Sequence, residues 1–287
     1  MGNSQKLQGI LTMCIGVACL STNDALAKAL SEHYSPLQIL FLRNLIALPI
    51  ALGLVLRIHG SDGLRSATPW LHFFRGAVWV LATYLFFTSI GKVGLAKSTA
   101  LLLIMPLIIV AFGAIFFKEK STRNQNLAVI FGFIGALIII RPSAPTFEPI
   151  LTLPILAAVS GAVLLLSARW LDKSESVWTV LFYLTATGTV FGFLTVPFVW
   201  SPVLAKDYWL FIAISVFGTV GMTLITQAFR FSPATIIAPL DYTALIWATV
   251  YGWIFWQEKP VLFTYIGASI IVCSGIFITS ISKQKVP

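Results

Sequence analysis

The sequence predicts an all-α integral membrane protein whose ten transmembrane helices form two inverted five-helix repeats. Three observations lead to this fold class: an apolar composition, ten apolar stretches long enough to cross a bilayer, and a matched pair of motifs in the two halves. Hydrophobic residues make up 58% of the 287 residues, charged residues make up only 10%, and the mean hydropathy is +0.92. Soluble domains contain about 25% charged residues. The composition therefore excludes a soluble globular protein.

The apolar stretches are bounded by charged residues, Pro or Gly, and each approaches the roughly 20 residues that span a bilayer. They lie near residues 7–29, 36–57, 69–91, 94–117, 124–141, 149–169, 176–200, 207–229, 233–256 and 261–282. Helices are expected because a spanning segment must satisfy its own backbone polar groups, and the alternating pattern of a barrel strand is absent. Ten such helices use about 200 residues, which leaves no room for a soluble domain.

The basic residues predict which helix ends face the cytoplasm. One set of tails and connections holds Lys6, Arg57, Arg65, Lys118, Lys120, Arg123, Arg169, Lys173, Arg230, Lys283 and Lys285, and the other holds Lys28, Lys92, Lys97, Arg141, Lys206 and Lys259. The positive-inside rule assigns the richer set to the cytoplasm. Both termini are then expected in the cytoplasm of a cell with a bacterial-type inner membrane. We therefore interpret the net charge of +9 as a topology signal, with the lipid bilayer rather than nucleic acid as the partner.

The cysteines and histidines predict neither a metal site nor a cofactor. The three cysteines, which are Cys14, Cys19 and Cys273, lie inside apolar stretches and lack the spacing of a disulfide framework or a metal site. The three histidines, His33, His59 and His72, lie at or near predicted membrane edges without a zinc-binding spacing. We interpret the cysteines as packing residues and the histidines as interfacial residues.

Two similar segments indicate an internal repeat. The residues Phe-Phe-Lys-Glu-Lys at 116–120 align with Phe-Trp-Gln-Glu-Lys at 255–259, and a Gly-containing apolar run follows each motif. The match divides the chain into residues 1–145 and 146–287, with five predicted helices in each part. Because five is an odd number, the second part must enter the membrane from the opposite side. Inverted repeats of this kind are typical of alternating-access carriers.

These motifs resemble the drug/metabolite transporter superfamily, specifically the ten-helix carriers built from two EamA domains. The resemblance covers nearly the whole chain, and it implies two EamA repeats around a central cavity and the exchange of small metabolites by alternating access. Shorter segments resemble the branch of S-adenosylmethionine and riboflavin carriers: Ser21-Thr22-Asn23-Asp24-Ala25, Phe41-Leu42-Arg43-Asn44, Phe73-Phe74-Arg75-Gly76 and Ala238-Pro239-Leu240-Asp241-Tyr242. The chain departs from the adenosylmethionine carriers at Asp241, where they have a cationic residue near the start of helix 9.

Four ionisable side chains fall inside predicted spans and are candidate substrate contacts or gates: Asp24, Arg43, Arg75 and Asp241. Each costs about 2.5–3.5 kcal/mol near the middle of a span, so such residues usually pair or line a polar cavity. The helical rise places Asp24 level with Arg43, and Arg75 level with Asp241. Two ion pairs are therefore expected. Lys28 is an alternative partner for Asp24, snorkelling is an alternative for Arg75, and a permanently closed ion pair is the alternative to a gate.

One face of helix 3 is predicted to form a wall of the binding site for a planar or cationic metabolite, because aromatic rings stack and attract positive charge. This face holds Arg75, Trp79, Thr83 and Phe86 at helical spacing. Packing or an interfacial aromatic belt is the alternative interpretation. The remaining candidate residues are Tyr242 and, as secondary candidates, Asn23, Lys28 and Tyr84.

Two prolines predict bends inside spans. Pro106 in helix 4 and Pro239 in helix 9 each remove a backbone hydrogen bond. Bends of this kind help helices rock, although static membrane helices tolerate them as well.

The sequence favours a secondary active or exchange transporter over an enzyme. Its expected substrate is a small amphipathic metabolite, zwitterionic or cationic and ring-bearing, such as S-adenosylmethionine, riboflavin or an aromatic amino acid. The alternatives are a membrane enzyme acting on a lipid or prenyl group, for which no acidic cluster or nucleophile–base pair is evident, and a structural subunit. No P-loop is present, so energy would come from a gradient or from exchange. Proton coupling through Asp24 or Asp241, either transport direction, and a monomer or a homodimer are all compatible with these residues.

Overall fold

The computed structural model describes residues 3–116, 123–140, 148–167, 170–171, 175–231 and 238–283, and every regular element within them is helical. The α-helices are α1 (Asn3–Leu30), α2 (Pro36–His59), α3 (Pro69–Val93), α4 (Leu95–Leu102), α5 (Met105–Phe116), α6 (Arg123–Ile140), α7 (Thr152–Ser167), α8 (Val177–Thr195), α9 (Tyr208–Phe231), α10 (Ala244–Trp256) and α11 (Leu262–Lys283). Short 3-10 helices cover Gly60–Leu64, Pro149–Leu151, Val196–Phe198, Ala205–Asp207 and Ala238–Thr243. The prediction of an all-α protein is confirmed.

The helices have the length and composition of a multi-pass membrane protein. Among the described residues, seven segments are long and apolar enough to cross a membrane: Leu7–Leu30, Pro36–Leu64, Pro69–Val93, Leu95–Gly113, Pro149–Ser167, Val177–Phe198 and Ala205–Ala228. Shorter apolar helices, Asn126–Ile140 and Leu262–Phe277, occupy the predicted fifth and tenth spans. In the predicted ninth span, a 3-10 helix is followed by α10.

The fourth and ninth predicted spans are not continuous α-helices. The fourth leaves the helix at Leu103 and Ile104, because Pro106 lacks an N–H group and its ring clashes with the carbonyl four residues earlier. The bend expected from Pro106 is confirmed, and it separates α4 from α5. In the ninth span, Ala238–Thr243 forms a 3-10 helix that contains Pro239, and residues 232–237 lie outside the described ranges.

Prolines, a serine and a glycine mark the helix ends. Pro36 and Pro69 begin α2 and α3, at positions where a missing N–H group costs no helical hydrogen bond. Ser176 caps α8 by accepting a 3.1 Å hydrogen bond from the Thr179 N–H. Gly94 joins α3 to α4 with a φ of +102°, a conformation that residues with a Cβ rarely adopt.

Helices from the first part of the chain pack mainly against helices from the second part. Helix α1 packs along α9, α2 along α8, α3 along α7, α4 along α10, and α6 along α11. One apolar core joins α4, α5, α6, α7 and α11, and another joins α1, α3 and α9. Because both cores contain residues from both parts, separating the parts would expose both cores. Polar residues gather where α1, α2 and α3 face α8 and α9.

Candidate functional site

A group of polar and aromatic side chains lies between α1, α2, α3, α8 and α9, inside the membrane-spanning region. The Arg43 guanidinium lies over the Trp79 indole, with Cζ 5.6 Å from the ring centroid, a distance at which a cation and an aromatic ring attract each other. Asn23 lies beside this guanidinium, because both side chains pack against Gly218. A Cβ at Gly218 would lie 2.7 Å from an Arg43 nitrogen and 2.8 Å from Asn23 Oδ1. Glycine therefore leaves the space that both polar groups occupy.

Asp24 lies in the same region without an ion pair. The Asn23 amide donates a 2.9 Å hydrogen bond to Asp24 Oδ1. Asp24 and Arg43 are close enough to interact electrostatically, but within the described structure the carboxylate forms an ion pair with neither Arg43 nor Lys28. The expected Asp24–Arg43 pair and the alternative Asp24–Lys28 pair are therefore both absent from this conformation.

Two buried amide atoms beside this pair lack hydrogen-bond partners in the part of the chain that the structure describes. They are Asn23 Oδ1 and Asn44 Nδ2. An unsatisfied buried polar group costs about 1–3 kcal/mol, so these atoms favour a ligand or water that can satisfy them. A cavity of about 40 Å³ adjoins Asn44 and is lined by Arg43, Asn44, Trp79, Thr185, Gly218 and Thr219 among others. A cavity of this size admits water but is smaller than a metabolite site. We call Asn23, Asp24, Arg43, Asn44 and Trp79 the central group.

The predicted pair between Arg75 and Asp241 does not form. Arg75 is buried and donates hydrogen bonds to the Leu164 carbonyl at 2.7 Å and to Ser167 Oγ at 2.8 Å. Both partners belong to α7, which α3 packs against, whereas the 3-10 helix that carries Asp241 packs against α1, α10 and α11. A shared depth therefore did not mean a shared face. The burial of Arg75 also rules out snorkelling in this conformation, and within the described residues Asp241 has no hydrogen-bond or ion-pair partner.

The other predicted aromatic and hydroxyl residues lie outside the central group. Phe86 is buried in the apolar core of α1, α3 and α9, which agrees with the packing interpretation. Tyr242 is buried in the other apolar core, against Gly275 of α11, and its hydroxyl has no partner among the described residues. Thr83 and Tyr84 are half-buried on α3. Trp79 is thus the residue of the predicted helix 3 wall that contacts Arg43.

We call the end of the bundle at which Asn3 and Lys283 lie the tail end. It contains a polar cluster that the sequence did not predict. The Glu175 carboxylate accepts hydrogen bonds from Ser66 Oγ at 2.6 Å and from Thr68 Oγ1 at 3.3 Å, and it lies 2.5 Å from His72 Nε2. The interpretation of His72 as an interfacial residue is wrong, because its imidazole is buried and stacks on Tyr183 with 4.4 Å between ring centroids. We call Ser66, Thr68, His72 and Glu175 the tail-end cluster.

The environment of Glu175 favours its charged form. Burial raises the pKa of its carboxyl group. Three neighbours together lower this pKa by more than burial raises it: Ser66 and Thr68 through hydrogen bonds, and His72 through a hydrogen bond and its electrostatic effect. The pKa of Glu175 is therefore below its ordinary value of 4.5. At neutral pH the tail-end cluster contains a carboxylate that links the segment before α3 to the segment before α8.

A second unpredicted cluster lies at the other end of the bundle, which we call the opposite end. Lys28 of α1 forms an ion pair with Glu258, which follows α10. Glu258 Oε2 also accepts a 2.9 Å hydrogen bond from the Leu95 N–H at the start of α4. Lys28 Nζ lies 4.8 Å from the Trp256 ring centroid, and the Trp256 indole donates a 2.9 Å hydrogen bond to Glu32. These five residues form the opposite-end cluster. Glu119, the repeat equivalent of Glu258, lies outside the described residues.

Comparison with known proteins agrees with this architecture. The model of the EamA-like transporter family matches residues 7–141 and 149–280. The pseudopaline exporter of Pseudomonas aeruginosa is 27% identical over 280 residues, which cover 96% of this chain and 97% of the exporter. The S-adenosylmethionine uptake transporter of Rickettsia bellii is 26% identical over 279 residues, covering 96% and 94% of the two chains.

A solved crystal structure with 20% sequence identity shares the fold, with a TM-score of 0.65 and 99% of each chain covered. The relatives are named as transporters, so the protein is a transporter rather than an enzyme. The two family matches together cover nearly the whole chain. The chain therefore belongs to the EamA-like transporter family, within the drug/metabolite transporter superfamily.

Proposed function

We propose that the protein carries a small amphipathic metabolite, zwitterionic or cationic and ring-bearing, across a bacterial inner membrane by alternating access, with both termini in the cytoplasm. The observation that supports this most directly is the central group. It presents a cation on an aromatic ring, a carboxylate without an ion pair and two unsatisfied amide atoms, all at membrane depth. Polar side chains are costly at this depth and typically mark a substrate pathway.

The chemistry of the central group suits a zwitterion with a ring. Arg43 can bind a carboxylate through two hydrogen bonds, Asp24 can balance a positive charge, and Trp79 can stack on a planar ring. S-adenosylmethionine combines a carboxylate, an ammonium group, a sulfonium group and an adenine ring, and one relative is named for its uptake. Riboflavin and aromatic amino acids share the ring and some of the polar groups. Pseudopaline joins the substrates to test, because another relative is named for its export.

The two end clusters are positioned to act as gates. The tail-end cluster links His72 of α3 with Glu175 before α8, and the opposite-end cluster links Lys28 of α1 with Glu258 after α10. Each cluster thus joins the first part of the chain to the second part. In alternating access, contacts at one end open while those at the other end close. Because both clusters are formed here, we interpret this conformation as occluded, which agrees with the small central cavity.

The helix packing supports a division into inverted repeats at 1–145 and 146–287. In such a repeat, α1, α2 and α3 correspond to α7, α8 and α9, the α4–α5 segment corresponds to the segment ending in α10, and α6 corresponds to α11. The packed pair α1–α9 then has the equivalent α7–α3, which is also packed. The pairs α2–α8 and α6–α11 are each their own equivalent. This is the pattern that a two-fold relation between the halves requires.

A counterflow assay with purified protein in proteoliposomes tests the proposal. Labelled S-adenosylmethionine, riboflavin, aromatic amino acids and pseudopaline are offered in parallel, with and without an imposed proton gradient. We expect saturable uptake of at least one solute, and the response to the gradient separates proton coupling from exchange. Failure of the folded protein to take up any of these solutes would contradict the proposed substrate class.

A matched pair of tryptophan variants tests the location of the site. Trp79→Leu removes the ring that contacts Arg43, whereas Trp70→Leu removes an exposed ring from the start of the same helix. We expect Trp79→Leu to raise the KM by about tenfold, because a stacked or cation-binding ring contributes roughly 1–2 kcal/mol, and Trp70→Leu to leave the KM unchanged. Equal KM values for the two variants would exclude Trp79 from the substrate site.

A further inference from the structure

Four lysines converge on one cleft at the opposite end of the bundle. The cleft has a volume of about 310 Å³ and lies between the turn that joins α3 to α4 and the segment that joins α10 to α11. The charged residues lining it are Lys28, Lys92, Lys97, Lys259 and Glu258. The cleft thus differs in charge from the central group, which contains a single arginine and a single aspartate.

The positive charge of this cleft is not balanced by the protein. Glu258 is its one acidic residue in the described ranges and is paired with Lys28. Within those same ranges, Lys92, Lys97 and Lys259 have neither an ion-pair partner nor a hydrogen-bond acceptor. Charges closer than the Debye length of about 8 Å at physiological ionic strength act together. The cleft therefore attracts anions.

These lysines are also unexpected for this end of the molecule. The positive-inside rule assigns the opposite end to the non-cytoplasmic side, where basic residues weaken the topology signal. The basic residues expected at this end are Lys28, Lys92, Lys97, Arg141, Lys206 and Lys259. Most of them line this one cleft. Topology does not explain such a concentration, whereas a local binding role does.

The wall of the cleft already binds one carboxylate, which belongs to Glu258. That carboxylate contacts the buried Lys28 ammonium group and accepts a hydrogen bond from the Leu95 N–H at the N-terminus of α4. A Cβ at Gly94 would lie 3.0 Å from the Glu258 carboxylate, so the glycine lets the backbone approach closely. The intramolecular contact demonstrates that this wall provides oxyanion-binding groups. Within the described residues, no carboxylate of the protein pairs with the three remaining lysines, Lys92, Lys97 and Lys259.

We propose that this lysine cleft is a binding site for a carboxylate- or phosphate-bearing molecule, which contacts Lys92, Lys97 and Lys259. Lysine ammonium groups bind such oxyanions through charge-assisted hydrogen bonds, and the volume falls in the range of small-molecule sites. The ligand is either a soluble anion or the phosphate headgroup of an anionic lipid, because the cleft lies at the membrane edge. The site is distinct from the central group, so its occupancy can be measured without a transport assay.

Two binding experiments on the full-length protein distinguish these sources. In the first, citrate is titrated calorimetrically into the protein in phosphatidylcholine nanodiscs at low ionic strength. In the second, the protein is purified from mixed phosphatidylcholine and phosphatidylglycerol, and native mass spectrometry records the lipids that it retains. The test variant is Lys92→Gln/Lys97→Gln/Lys259→Gln. The control variant, Arg57→Gln/Arg123→Gln/Lys206→Gln, changes three exposed basic residues outside the cleft and therefore has the same net charge.

We expect the test variant to bind citrate at least about tenfold more weakly than the wild type, or to lose the retained phosphatidylglycerol, because it lacks the three ammonium groups that donate charge-assisted hydrogen bonds to the anion. The control variant should match the wild type. Loss in the citrate experiment identifies a soluble anion, and loss in the lipid experiment identifies a headgroup. Thermal unfolding checks that the variants are folded, and the corresponding triple Lys→Arg variant should restore binding. Equal binding by all variants, or no binding by the wild type in either experiment, would overturn the proposal.

Discussion

Asp241 has an environment that does not suit a permanently charged carboxylate. It lies in the 3-10 helix Ala238–Thr243 within the predicted ninth span, is not exposed, and has no partner in the described part of the chain. Structural carboxylates at membrane depth are usually paired, because an isolated charge is costly. We therefore propose that Asp241 acts in transport, as a contact for a cationic group or as a proton carrier, rather than in stability.

The variant Asp241→Asn distinguishes a role in transport from a role in stability. Removing an unpaired charge relieves a cost of up to about 2.5–3.5 kcal/mol, so the midpoint of thermal unfolding should stay the same or rise. The rate of counterflow should fall by about tenfold, or lose its dependence on pH. Asp62→Asn is the control, because Asp62 is exposed and forms a 3.4 Å ion pair with Arg65. A variant that transports like the wild type at every pH would show that Asp241 has no role in transport.

Several candidate residues lie together in the structure, but the ion pairs expected between them do not form. Arg43, Trp79 and the secondary candidate Asn23 do meet, and Asp24 lies beside them. The expected Arg75–Asp241 pair failed because the helical rise gives depth but not the face that each helix presents to its neighbours. Those faces depend on tertiary packing, which a single sequence does not reveal.

Among the helices, α8 packs closely against the central group at Gly188, because this residue has no side chain. A Cβ at Gly188 would collide with Asn44 Nδ2 and lie 2.8 Å from the Trp79 ring. We expect Gly188→Ala to destabilise the protein by about 1–3 kcal/mol and to weaken substrate binding, because both side chains must move. The matched control is Gly53→Ala, where a Cβ would meet no atom within 4 Å. Equal unfolding midpoints for the two variants would contradict this close contact.

The connection before α8 predicts a pH-dependent contribution to stability. The pKa of Glu175 is lowered in the folded protein, so folding favours its charged form. Its stabilising effect is fully present above the unfolded-state pKa, near 4.5, and is lost as the pH falls through the lower folded-state value. Glu175→Gln should therefore lower the unfolding midpoint at neutral pH, and the difference from the wild type should shrink below pH 4.5. The control is Glu148→Gln, at an exposed residue. A difference that is constant with pH would refute the charged form as the source of stability.

Helix boundaries were largely predictable because Pro and Gly act through local backbone geometry. Pro36 and Pro69 begin helices, and Pro106 interrupts one, as their missing N–H groups require. The contacts between connections were not predictable. Glu175 lies far in sequence from Ser66 and His72, and only the packing of α3 beside α8 brings them together. The one local signal was that Glu175 lies in, and His72 lies just after, a connection expected at the same end of the bundle.

For the whole molecule, composition and the repeated motif were sufficient to predict the fold class, because both are properties of the entire chain. The apolar stretches correspond to the helices, and the prediction of a multi-pass α-helical protein is confirmed. The size of the central cavity was not predictable, since it depends on which ends of the bundle are closed. The proposed gating role of the two end clusters makes the alternating-access proposal specific.

Accessibility of the central cavity from each side of the membrane tests this proposal most directly. Thr219 lines the cavity and is half-buried, so Thr219→Cys, with Cys14, Cys19 and Cys273 changed to Ser, reports access through labelling by an impermeant maleimide. We expect labelling from both sides. Glu258→Gln should increase labelling from the opposite end and decrease it from the tail end, and Glu175→Gln should do the reverse, because weakening one gate shifts the population toward that open state. Labelling from one side only, unchanged by either variant, would contradict alternating access.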